Sequence, residues 1–111
     1  MTATVPFSLS KHEPDDLESL FSRLVQAVIA DTRLESSTQR IAIHPAYQQI
    51  IGLGPPAVPL LLREVERKSG RWFWALKSIT REDPVPESDR GRTQKMVEAW
   101  LDWGKQKGYQ W

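Results

Sequence analysis

Apolar residues in this chain recur at spacings of three and four. Nowhere do they alternate with polar ones at period two for long enough to make a convincing strand. That spacing predicts helices, and proline and glycine set their lengths. Leu17, Leu20, Phe21, Leu24, Val28 and Ile29 trace one apolar face over residues 14–34. Pro14 opens that helix at a position where its missing N–H costs nothing. Asp15, Asp16 and Glu18 place negative charge at the positive end of its dipole. Residues 1–13 show no sustained period and read as a flexible lead-in.

Residues 35–44 fit either a helix or an extended segment, and Pro45 biases His44 away from helical dihedrals. A helix is expected from Pro45 to Gly52, ending in Gly52-Leu53-Gly54, where glycine suits a left-handed cap. Pro55 and Pro56 open the next helix, with Pro59 in or just after its first turn. Val58, Leu61, Leu62 and Val65 form its inner face, Arg63, Glu64, Glu66, Arg67 and Lys68 its wet face, and Gly70 stops it. A fourth helix is expected over 72–80, with Trp72, Ala75, Leu76 and Ile79 on one stripe. Phe73 and Trp74 flank that stripe and cannot both face the same core. Residues 81–91 carry Pro84, Pro86 and Gly91 and read as a loop. A last helix is expected over about 92–107, with Met96, Val97, Trp100, Leu101 and Trp103 on a broad apolar face; Gly108 closes it and Tyr109-Gln-Trp111 trails behind. The expected fold is all-α, four to five helices in a single domain over residues 14–111.

Composition narrows the function classes. The chain has 111 residues and no cysteine, so disulfides, thiolate metal sites and cysteine nucleophiles are excluded. Fifteen Lys and Arg face fourteen Asp and Glu, a balance without a dominant polybasic arm or acidic tail. No run approaches the roughly 18 apolar residues of a membrane span. The start, Met1-Thr-Ala-Thr-Val-Pro-Phe-Ser, lacks a basic region followed by an apolar one, so no secretory signal is expected. A cytoplasmic protein without a membrane partner is the expectation.

The stretch Ile51-Gly-Leu-Gly-Pro-Pro-Ala-Val-Pro-Leu-Leu-Leu resembles the middle of a bacterial, lyase-type HEAT-like repeat. In that family a first helix ends in a Leu-Gly turn and an Ala-Val-Pro run opens the second. Ala75-Leu-Lys-Ser-Ile-Thr-Arg-Glu-Asp, followed by Ala99-Trp-Leu-Asp-Trp-Gly, is similar to the terminal repeat of such proteins. The resemblance implies two antiparallel helix pairs, about 45–68 and 72–107, stacked together with the first helix covering one end. Two pairs are fewer than the three or so repeats a solenoid needs, which favours a compact bundle over an open superhelix. The family implies a scaffold or binding role and no reaction.

The residue chemistry points the same way. His12 and His44 have no second ligand at helical spacing, and a metal site needs three or four convergent donors. Gly52 and Gly54 do not form a phosphate cradle, because Pro55 and Pro56 remove two of the backbone donors it would use. Glu13, Asp15, Asp16 and Glu18 serve the helix dipole. Glu82, Asp83, Glu87 and Asp89 lie near Arg81, Arg90 and Arg92, so local ion pairs are expected there. A hydrolase or lyase built on Glu82 or Asp83 is the third-ranked reading. No catalytic residue, cofactor or metal ligand is assigned.

The aromatics are the unusual feature. Five of the ten are tryptophan, and all five follow residue 70. Trp72, Trp100 and Trp103 are expected inside, leaving Trp74 or Phe73, and Trp111, over. Trp and Arg concentrate in interface hot spots. Residues 61–111 hold 11 basic and 8 acidic groups, against 4 and 6 in residues 1–60. The expected protein-binding residues are Arg67, Arg71, Phe73, Trp74 and Lys77, on another protein or a second copy of the chain. The alternative is nucleic-acid binding through Arg63, Arg67, Lys68 and Arg71.

Overall fold

A computed structural model describes residues 13–67 and 70–111; residues 1–12 of the expected lead-in, with His12, and Lys68 lie outside them. The fold is all-α. Among the described residues there are six α-helices and no strand. They are α1 (Glu13–Thr32), α2 (Thr38–Ala42), α3 (Pro45–Gly52), α4 (Val58–Glu66), α5 (Phe73–Thr80) and α6 (Thr93–Gln106). Single 3-10 turns at Pro55–Ala57 and Gly70–Trp72 lead into α4 and α5, and a third, Glu87–Asp89, lies in the loop before α6.

The ambiguous 35–44 segment contains a short helix. Ser37 caps it, its Oγ accepting from the Arg40 N–H at 3.3 Å. His44 caps α3 in the same way: Nδ1 accepts from the Ala46 N–H at 3.0 Å, and Pro45 takes the first helical position. Gly54 then adopts φ 74° and ψ −159°, a backbone conformation open essentially to glycine. That is why the chain can reverse into the proline turn before α4. The end of α5 is less legible: Arg81, not a glycine, takes the left-handed position at φ 62°.

Alternate helices pack together. α1 lies on α3 and α3 on α5, while α4 lies on α6 and also meets α5. Packing therefore joins the two expected helix pairs to each other, α3 to α5 and α4 to α6. Val58, Leu61, Leu62 and Val65 are fully buried, as their spacing predicts. Each such side chain contributes about 1.5–3 kcal/mol of burial. On α1 the buried stripe is Phe21, Leu24, Val25 and Val28, closed by Thr32. Val25 takes a place the spacing gave to Ile29, which is only half-buried.

α6 meets α4 at Gly104. A Cβ there would stand 2.7 Å from Leu62 Cδ1 and 2.9 Å from Trp111 Cζ3. The C-terminal tail therefore does not trail away. Gly108, at φ 87°, turns the chain back, Tyr109 stacks on Trp103 at 5.5 Å, and Trp111 lies over Gly104. The Trp111 indole N–H donates to Glu66 Oε1 at 2.8 Å, so this tryptophan latches the tail to α4.

Candidate functional site

Three consecutive aromatics at the start of α5 meet three different fates. Trp72 is fully buried and stacks on Tyr47 of α3, ring centroids 5.4 Å apart. Phe73 is buried at the edge of the core. Trp74 points the other way and is 45% exposed. A helix turns about 100° per residue, so neighbours cannot share one face.

The inner junction is closed around one hydroxyl. Tyr47 Oη donates to the Arg71 carbonyl at 2.6 Å and accepts from the Ala75 N–H at 3.0 Å. Those two backbone groups would otherwise pair with each other at helical spacing, so the hydroxyl is spliced into the first turn of α5. Burial pushes the Tyr47 phenol well above its usual pKa, opposed by the hydrogen bond from Ala75. It stays protonated throughout the physiological range.

The outer side of α5 borders a cleft of about 240 Å³. Phe73, Trp74, Met96 and Trp100 supply its apolar wall, and Thr38 of α2 and Gly70 also line it. Lys77, Asp83 and Arg90 supply its charge. Asp83 is held from three sides. Its Oδ1 accepts from the Val85 N–H at 3.1 Å, and its Oδ2 accepts from Arg90 Nη2 at 2.7 Å and lies 3.6 Å from Lys77 Nζ. Lys77 Nζ also sits 5.6 Å from the Trp74 ring centroid, within cation–π range. Trp100 is fully buried, yet its indole Nε1 has no acceptor among the described residues.

The expected binding residues are thus divided. Phe73, Trp74 and Lys77 border the cleft. Arg71 is half-buried, and its Nη2 reaches the Thr32 carbonyl at 3.4 Å, so it ties α1 to the start of α5. Arg67 is exposed and lies 3.2 Å from Glu64. Arg63 lies 3.6 Å from Glu18 of α1. Each described arginine of the expected basic strip, Arg63, Arg67 and Arg71, thus lies near an acceptor. Trp111, left over by the spacing, is used by the fold. Met96, Trp100, Asp83 and Arg90 join the cleft without having been assigned to it. The sequence links two pairs of them: Met96 and Trp100 stand four residues apart on one helix face, and Asp83 and Arg90 seven apart across a proline loop.

Glu82 and Asp83 do not converge on one cavity. Glu82 lines a separate cleft of about 330 Å³ with Val58, Ile79, Trp103, Lys107 and Tyr109. There its Oε1 accepts from the Trp103 indole at 3.0 Å and its Oε2 lies 3.4 Å from Lys107 Nζ. The Trp103 hydrogen bond, with Lys107 behind it, holds the Glu82 carboxyl below its ordinary pKa. A carboxylate kept ionised in this way is a poor proton donor at neutral pH.

His44 Nε2 lies 2.9 Å from Asp31 Oδ2, while its Nδ1 faces the Ala46 N–H. Both ring nitrogens are thus engaged, Nδ1 in capping α3 and Nε2 in joining α3 to α1. No group of three or more His, Asp or Glu among the described residues is placed to hold a metal ion. No helix among the described residues is long and apolar enough to cross a membrane. No family model, curated protein or solved structure matches this chain.

Proposed function

We propose that this chain is a non-catalytic helical module, with HEAT-like local geometry, that binds another protein in the cytoplasm. The observation that carries the reading is Trp74. It is a large aromatic ring left 45% exposed on a chain that buries Trp72, Trp100 and Trp103 completely or nearly so. Trp74 also borders a cleft with two buried aromatic walls and a cation beside it. An aromatic anchor beside a shallow apolar pocket is what dominates protein interfaces. The nucleic-acid reading has less support, because Arg63 and Arg67 each sit against a carboxylate and Arg71 against a carbonyl.

Selection from a random peptide-display library tests this. The wild-type protein is expected to enrich binders whose retention falls by more than ~1 kcal/mol in Trp74→Ala. Binders that ignore the substitution, or none at all, would contradict the reading. Self-association through the same face would appear as a concentration-dependent sedimentation coefficient that Trp74→Ala removes.

A further inference from the structure

The cleft beside Trp74 has properties that specify more than a sticky surface. At about 240 Å³ it is smaller than the roughly 300–1,000 Å³ typical of small-molecule and cofactor sites. It is the size for one side chain. Its wall is apolar, so that side chain is apolar too. The charge at its rim is not balanced: Lys77 and Arg90 share the single carboxylate of Asp83. Both cations are substantially exposed, and a fixed Asp83 leaves one positive charge over for an incoming group. Trp100, in the wall, carries an indole N–H without an acceptor among the described residues.

We propose that the cleft receives one apolar side chain from an acidic segment of another protein. The flanking carboxylates of that segment meet Lys77 and Arg90. This rests on the protein-binding reading above and names the chemistry of the partner. Asp83 has the role of a positioning group. Anchored by the Val85 N–H and by Arg90, it holds the two cations beside the cleft, and their surplus charge disfavours a basic segment.

Three blocked five-residue peptides serve as probes, each with a central leucine flanked on both sides by glutamate, glutamine or lysine. They are titrated into the isotopically labelled full chain at low salt. The glutamate peptide is expected to bind most tightly, by roughly two- to fivefold over glutamine, as an exposed ion pair contributes. The lysine peptide is expected to bind most weakly. The resonances that move should be the Gly70 amide and the indole N–H groups of Trp74 and Trp100. Lys77→Gln, a surface change, should erase most of the glutamate preference. Equal binding of all three peptides at these resonances would overturn the acidic-partner proposal and leave the protein-binding reading standing, as would a glutamate preference unchanged in Lys77→Gln. No shift at Gly70, Trp74 or Trp100 with any peptide would sink both.

Discussion

The two sides of α5 use the same residue types to opposite ends. On the inner side Trp72 stacks on Tyr47, and the Tyr47 hydroxyl satisfies both a carbonyl and an N–H of the chain around it. On the outer side Trp74 is half in solvent, Trp100 keeps an unpaired donor among the described residues, and two cations share one carboxylate. What separates a structural aromatic from an available one is the polar bookkeeping around it. Where every donor and acceptor is matched, the site has nothing left to offer a partner. Where donors and charge are in surplus, a partner can supply the complement.

Substitutions should separate the two sides by their cost. Trp72→Ala removes a fully buried indole and is expected to destabilise the fold by about 3–5 kcal/mol, read from the urea midpoint. A loss below about 1 kcal/mol would mean the inner side is not the closed one. Tyr47→Phe keeps the ring and removes only the bridge between Arg71 and Ala75. Its expected cost is about 1–3 kcal/mol, since the retained ring still stands between the Arg71 carbonyl and the Ala75 N–H and both lose the hydroxyl that bridged them. Hydrogen exchange at the Ala75 amide should accelerate. Gly104→Ala should cost about 1–3 kcal/mol by overpacking between α6 and α4. It should also free Trp111, visible as a red shift of its fluorescence, because Leu62 is buried and the tail is the side able to move. A gentler effect is expected of Glu82→Gln. Its lowered folded-state pKa stabilises the native state above the ordinary carboxyl value of 4.5, and that contribution is lost as the pH falls below it. Wild type and Glu82→Gln should therefore differ at neutral pH and converge on acidification. A gap that widened in acid would reverse the assigned sign.

Much of this arrangement was legible in the sequence. Helical spacing located α1, α3, α4, α5 and α6, since each has an apolar stripe with proline or glycine near at least one end. The prolines at 45, 55 and 56 fixed where α3 and the turn before α4 begin. α2 was ambiguous because its five residues hold too little pattern to tell a helix from an extended segment. The arginine at the end of α5 was unreadable because glycine is the usual signal for that position. Spacing also showed that Phe73 and Trp74 must part ways, without saying which goes inside. The fates of Arg71 and Trp111 depend on long-range partners, Thr32 and Glu66, that no local pattern reveals. The same holds for Tyr47, whose hydroxyl reaches 24 and 28 residues along the chain. The cleft itself required α2, α5, α6 and the loop before α6 to be brought together, which periodicity alone does not do.

The central claim is tested most directly by comparing wild type and Trp74→Ala in two measurements on the same samples, urea stability and binding of library-selected peptides. A surface substitution should alter stability by no more than about 0.5 kcal/mol, while binding should weaken by more than ~1 kcal/mol. If instead stability collapses, or affinity is unchanged, Trp74 is a packing residue or a bystander, and the outer side of α5 is not a binding face.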